Sequence, residues 1–161
     1  MRGWLRRKIV YPVLALLRQG MTPEKLALSI TLGLALGVVP VLGSTSLLCF
    51  LAALLLGLNQ PAIQLVNFVA YPLQLAMLVP FLRLGERLFG APPMGLTPAQ
   101  MVAMIRADMG HAIITLWSAT MHALVVWLGV GMVVVPLLYP LLSAVLRQAS
   151  RRMREETLRE A

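Results

Sequence analysis

Acidic residues are scarce in this chain: 6 Asp and Glu stand against 14 Lys and Arg in 161 residues, and only 12% of the chain is charged. An ordinary soluble domain is about a quarter charged. Asp, Glu, Lys and Arg are absent altogether from Leu26 to Leu82 and again from Met109 to Leu146, a run interrupted by the ionisable His111 and His122. A membrane span needs about 20 such residues, so these runs exclude a water-soluble globule and leave no room for a separate soluble module. There is one cysteine, Cys49, inside an apolar run, which excludes an intramolecular disulfide and a thiolate metal cluster. Aromatic residues make up 6% of the chain and form no stacking motif, which argues against nucleic acid despite a net charge of +8. The few acids, at positions 24, 86, 108, 155, 156 and 160, lie at segment ends. No nucleophile–base pair, paired carboxylates or metal-ligand cluster is visible, so neither an enzyme nor a cofactor is expected.

What the chain contains instead is apolar: 59% of it is hydrophobic, with a mean hydropathy of +0.82. The expectation is a single all-α integral membrane domain over residues 1–161. Arg2, Arg6, Arg7, Lys8, Arg18 and Lys25 precede the first run, and Arg147, Arg151, Arg152, Arg154 and Arg159 follow the last. Both termini are therefore expected in the cytoplasm, with an even number of crossings, and anionic lipid headgroups are the expected counter-ions. The intervening segment, with Arg83, Arg87 and Arg106 against Glu86 and Asp108, is the least basic and is assigned to the outer face. Residues 1–20 read as a basic interfacial helix rather than a cleaved leader, because Pro12 interrupts the apolar stretch, Arg18 closes it and no small-x-small site follows.

Proline and glycine divide the runs. Thr22-Pro23 is a helix start, Gly37 to Gly43 with Pro40 between them is a break, and Ser44-Thr45-Ser46 offers N-cap oxygens for a second helix to about Gly57. Over residues 22–57 this predicts a broken pair whose second helix, at about 20 Å, is too short for a hydrocarbon core of about 30 Å. A re-entrant hairpin follows. Leu58-Asn59-Gln60-Pro61 is the next turn, and residues 61–89 are long enough to span, with a kink at Tyr71-Pro72. An amphipathic helix is predicted over 97–108 and a second transmembrane helix over 110–146, bent or broken at Pro136 and Pro140. Residues 147–161 are a basic cytoplasmic tail.

Polar residues inside these runs carry the functional signal. Gln60, Gln64, Asn67, Tyr71 and Gln74 recur at intervals of three and four, so they share one helix face. Because hydrocarbon cannot satisfy amides, that face must meet another helix or a wet cavity. Asp108, His111, Thr115, Ser118 and His122 form a second stripe, and His122 is its deepest ionisable member, suited to proton relay. The break over Pro40, Gly43, Ser44 and Thr45 points the free N–H groups of a helix start into apolar surroundings, an arrangement that suits an anion such as a phosphate or carboxylate. The expected substrate-binding set is thus Pro40, Gly43, Ser44, Thr45, Gln64, Asn67, Tyr71, Gln74 and His122.

Thr22-Pro23, Ala27, Gly33, Gly37, Pro40, Gly43 and Thr45, then Leu58-Asn59-x-Pro61, Tyr71-Pro72-Leu73-Gln74 and Arg83-Leu84-Gly85-Glu86, resemble the small bacterial inner-membrane family known as domain of unknown function two-thousand-and-sixty-two. The resemblance covers roughly residues 20 to 90, and the family pattern has Asn-Pro where this chain has Tyr71-Pro72. It implies a multi-pass inner-membrane protein and specifies no activity. More remotely, the broken helix and the Arg83-x-Gly85-x-x-x-x-Gly90 pattern are similar to small membrane transporters of the DedA kind, which implies lipid-carrier translocation. Two readings follow. The first is a transporter or lipid translocase acting on an anionic lipid or small molecule between the two polar stripes. The second is a non-transporting scaffold in which the stripes are contacts of a homo-oligomer.

Overall fold

The computed structural model describes residues 22–91 and 108–160. The interfacial helix expected near the N-terminus and the amphipathic helix expected over 97–108, Asp108 excepted, lie outside the described residues. Four α-helices and no strand are found among the described residues: α1 Pro23–Gly37, α2 Thr45–Leu56, α3 Gln60–Phe89 and α4 Met109–Glu160.

Their starts are set by capping chemistry. The Thr22 hydroxyl accepts the Lys25 N–H at 3.3 Å, with Pro23 in the first turn, where its missing N–H costs nothing. The Asn59 side-chain oxygen accepts the Ala62 N–H at 2.8 Å ahead of Pro61. Gly57 and Gly90 end α2 and α3, their N–H groups returning to the Ala53 and Glu86 carbonyls.

The four internal prolines do not divide the long helices. Pro72 and Pro80 lie inside an uninterrupted α3, and Pro136 and Pro140 inside an uninterrupted α4, which runs on through the basic tail to Glu160. The break expected after Val135 is therefore corrected to a continuous helix. Each proline removes one N–H and crowds the preceding turn, but tertiary packing outweighs that local cost. Between and beyond these two prolines of α4, Tyr139, Leu142 and Leu146 pack with Leu26, Ala27, Ile30 and Ala62, and the Ser143 hydroxyl donates to the Pro140 carbonyl at 3.0 Å.

Close contacts give the helix directions. A Cβ on Gly33 would meet the Ile63 carbonyl at 2.9 Å, and one on Gly37 would meet the Ala70 Cβ at 2.9 Å, so α1 and α3 run parallel with their backbones nearly touching. α2 folds back antiparallel to both, enclosing Cys49, Ala53, Leu58 and Ile63 against Leu28, Leu32 and Leu36. α4 descends along α1 and α3: Gly85 faces His122, the Trp127 indole N–H donates to the Ala35 carbonyl at 2.9 Å, and Arg147 pairs with Glu24 at 2.6 Å.

The outer faces remain apolar. Leu47, Leu55, Phe68, Leu137 and Met132 are all 60% or more exposed. α3 and residues Ile113–Arg151 of α4 are both long and apolar enough to cross a membrane.

Candidate functional site

The break between α1 and α2 is the structural anomaly of the fold. α1 stops at Val38, whose N–H turns back to the Leu36 carbonyl; Val39 N–H does the same at 3.3 Å. Gly43 takes φ +86, a left-handed conformation that a side chain would strain, with nothing within 4 Å of its would-be Cβ. Pro40 and the buried Thr45 bracket the turn.

Ser44 occupies the N-cap position but does not cap. Its φ of −84 and ψ of −21 are helical, and no side-chain bond reaches the first turn. The hydroxyl instead donates to the Val41 carbonyl at 2.9 Å, which corrects the expectation of a hydroxyl-capped start. The reason is geometric: capping by a side-chain oxygen needs an extended cap residue. The first helical bond here is Leu48 N–H to the Ser44 carbonyl, at 3.0 Å.

The α3 amides fasten this broken pair. Gln60 Nε2 donates to the Phe50 carbonyl at 2.9 Å and Gln64 Nε2 to the Ser46 carbonyl at 2.9 Å. Asn67 Nδ2 donates to Ser46 Oγ at 3.1 Å. Gln74 Nε2, on a side chain that is almost fully buried, donates to the Val39 carbonyl at 2.8 Å. The face expected to meet another helix or a cavity thus meets α2 and the end of α1. Satisfaction is incomplete at one atom: Gln64 Oε1 is buried and has no hydrogen-bond partner.

Tyr71 departs from its neighbours and is 53% exposed. The bonds from Gln64 and Asn67 place Ser46, in the first turn of α2, beside residues 64–67. One turn further along α3, Tyr71 has risen past the start of that helix.

His122 is not part of this assembly. Its ring stacks on Phe89, with centroids 4.4 Å apart and planes 13° apart, where α4 crosses the end of α3 over Gly85. The two polar stripes are therefore not brought together around one cavity: the amide face looks onto α2, and His122 sits at the far end of α3. Ser118 donates to the Thr115 carbonyl at 2.9 Å within its own helix, and the His111 side chain lies outside the described residues.

Three contacts were not legible in the sequence: Trp127 to Ala35, Glu24 to Arg147, and Gln74 to the Val39 carbonyl. Trp127 carried a partial signal, since an indole N–H in apolar sequence requires an acceptor.

Most of the motif residues have architectural roles. Thr22-Pro23 and Asn59-x-Pro61 start helices, Gly33 and Gly37 let α1 approach α3, Gly43 turns the break, Gln74 pins it, and Gly85 lets α4 cross α3. Neither a curated protein nor a solved structure matches the chain. The model of one protein family, described as an uncharacterized protein conserved in bacteria, DUF2062, matches residues 6–155. That match extends well beyond the stretch of motifs between residues 20 and 90, through the whole of the α4 crossing, and this chain belongs to the DUF2062 family.

Proposed function

We propose that this protein is a multi-pass protein of the bacterial inner membrane that binds and translocates an anionic lipid or a related anionic small molecule at the α1–α2 break. α3 and α4 make the two full crossings. The broken pair is re-entrant: at about 1.5 Å per residue, the 15 residues of α1 and 12 of α2 are each shorter than a hydrocarbon core of about 30 Å. Their turn packs beside Asn67 to Gln74, near the middle of the 30-residue α3.

Charge supports the orientation. Glu24 and Arg147 meet at one end of the bundle, with Lys25 and Arg151 exposed nearby, while Arg83 and Arg87 lie at the other end of α3. By the positive-inside rule the first end is cytoplasmic, as are both termini, and anionic headgroups are its partners. The chain acts without enzymatic chemistry, a cofactor or nucleic acid.

The observation that carries this reading is the first turn of α2. It begins without a side-chain cap, so its N–H groups and the positive end of its dipole face the break, which this reading puts at membrane depth. Pro40, Gly43, Ser44 and Thr45 shape the site, and Gln64, Asn67 and Gln74 hold it in place. Tyr71 is open beside it, and His122 stands apart from it, stacked on Phe89.

The test is translocation of a fluorescent anionic phospholipid in reconstituted vesicles. Ser44→Asp places a carboxylate at the dipole end, where it repels the lipid. This variant should lose more activity than the Ser44→Ala, Thr45→Ala double variant, which removes only neutral hydrogen bonds worth about 0.5–1.5 kcal/mol each. Equal activity of Ser44→Asp and the parent, at matched insertion, would reduce the break to a structural turn.

One observation favours a second reading. The amide face is spent on fastening α2, which is what a non-transporting scaffold or homo-oligomer subunit requires of it. Absence of translocation by the parent together with self-association in mild detergent would select that reading.

A further inference from the structure

Phe68, Tyr71, Pro72, Leu75, Ala76 and Val79 fall within about 140° of one another around α3 at 100° per residue, and every one of them is exposed. This apolar face carries both a spare donor and spare acceptors. The Tyr71 hydroxyl has no hydrogen-bond partner among the described residues. Pro72 and Pro80 have no N–H to give the carbonyls four residues before them, those of Phe68 and Ala76, and no described side chain supplies the missing donor at Phe68. We infer that this face is the contact of a two-fold dimer of the chain, in which Tyr71 of each copy donates to the proline-freed Phe68 carbonyl of the other. The inference rests on the reading of α3 as a membrane crossing, and it holds whether or not the break binds an anion.

Depth makes the unpaired groups costly. A lipid-facing tyrosine is at home where its hydroxyl reaches water, near the ends of a crossing. Tyr71 is instead near the middle of the 30-residue α3, inside the charge-free stretch from Leu26 to Leu82. Hydrocarbon supplies neither an acceptor for its hydroxyl nor a donor for the freed carbonyl, so a proline is tolerated in such a helix where a neighbour makes good the missing bond. Within one copy nothing does so here, because α2 is only 12 residues long and its first turn ends its cover of α3 before Tyr71 is reached.

The occupant follows from self-complementarity. An isologous contact pairs residue i of one copy with j of the other and j with i, so it needs donor and acceptor together on one face. The α3 face has both, with the hydroxyl three residues from the freed carbonyl. α4 does not: Pro136 and Pro140 free the Met132 and Pro136 carbonyls on an exposed stretch, but residues 128–137 contain no hydroxyl or amide side chain to donate. With both copies inserted in the same sense, the two-fold axis lies along the membrane normal and brings like positions of α3 together at one depth.

The test measures self-association of the full-length protein in liposomes. Copies carrying donor or acceptor dye at Lys25→Cys, in a Cys49→Ala background, are followed by energy transfer as protein is diluted into lipid. The parent should dimerise, and Tyr71→Phe, which removes only an exposed hydroxyl, should weaken the dimer about eightfold, the equivalent of two average interhelical hydrogen bonds in a membrane. In native membranes, a single cysteine at Leu75 should cross-link copy to copy on oxidation, whereas one at Val133, 60% exposed on α4, should not. A parent that stays monomeric at all dilutions overturns the inference, as does a dimer that Tyr71→Phe leaves equally tight. Cross-linking at 133 in place of 75 also overturns it, by moving the contact to α4. Release of the parent from membranes by alkaline carbonate would instead overturn the membrane-crossing reading on which the inference rests.

Discussion

Replacing Gln74 with leucine isolates the bond that holds the end of α1 against α3. The side chain is 1% exposed, and its Nε2 is the only described partner of the Val39 carbonyl, at 2.8 Å. Leucine is close to glutamine in volume, so little cavity is created and the cost falls on the polar group left behind. Val39 is itself 2% exposed, and a buried carbonyl stripped of its donor costs about 1–3 kcal/mol. Gln60→Leu is the internal control. It removes a bond of similar length to the Phe50 carbonyl, but at an exposed position and onto a carbonyl that lies within α2 and can keep its helical N–H partner. Its cost should be that of an average interhelical bond in a membrane, about 0.6 kcal/mol. Gln74→Glu should be worse than either, since a carboxylate would face the carbonyl oxygen with no hydrogen between them. The assay is reversible unfolding from mild detergent into denaturing detergent, followed by Trp117 and Trp127 fluorescence. The expected order of loss is Glu at position 74, then Leu at 74, then Leu at 60. A Gln74→Leu protein as stable as the parent, or one hurt less than Gln60→Leu, would refute the claim that this amide pins the break.

The glycines predict opposite signs in the same assay. Gly85→Ala would put a Cβ 2.9 Å from the His122 backbone and 3.0 Å from its Cβ, forcing α3 and α4 apart at about 1–3 kcal/mol, whereas Gly129→Ala meets nothing within 4 Å and should be neutral or stabilising by up to about 1 kcal/mol. Acid sensitivity should trace in part to Glu24, whose carboxyl is held below its ordinary 4.5 by a backbone hydrogen bond first and by the Arg147 guanidinium as well. A lowered folded-state value means that its contribution is present above 4.5 and lost as pH falls through the lower folded value, so unfolding midpoints measured down that acid limb should fall less steeply in Glu24→Gln than in the parent.

The sequence was most informative where a local rule decides the backbone. Thr22-Pro23 and Asn59-x-Pro61 fix helix starts whatever the rest of the chain does, and Pro40 with Gly43 cannot continue a helix into Ser44. The spacing of Gln60, Gln64, Asn67 and Gln74 is likewise a property of one helix, so a common face was legible, though not which element would cover it. Local rules misled where tertiary packing competes with them. Pro136 and Pro140 carry a local penalty of about 3 kcal/mol each, yet the contacts of Tyr139, Leu142 and Leu146 hold α4 together across them. Ser44 has the composition of a cap, but its backbone is helical and its hydroxyl is taken by Val41. Tyr71 shares the periodicity of the amides and still lies open, because periodicity places a residue on a face without saying how far the neighbouring helix extends. His122 on Phe89 and Trp127 on Ala35 join distant segments, and no spacing along one helix contains such pairs.

The central claim is a re-entrant broken pair beside two full crossings, and side-specific cysteine labelling tests it most directly. Single cysteines at the exposed positions Lys25, Pro61 and Leu88, each in a Cys49→Ala background, mark the start of α1, the start of α3 and the end of α3. A membrane-impermeant maleimide should label positions 25 and 61 from the cytoplasmic side alone and position 88 from the opposite side alone. Labelling of 25 and 61 from opposite sides, or of 61 and 88 from the same side, would contradict the account.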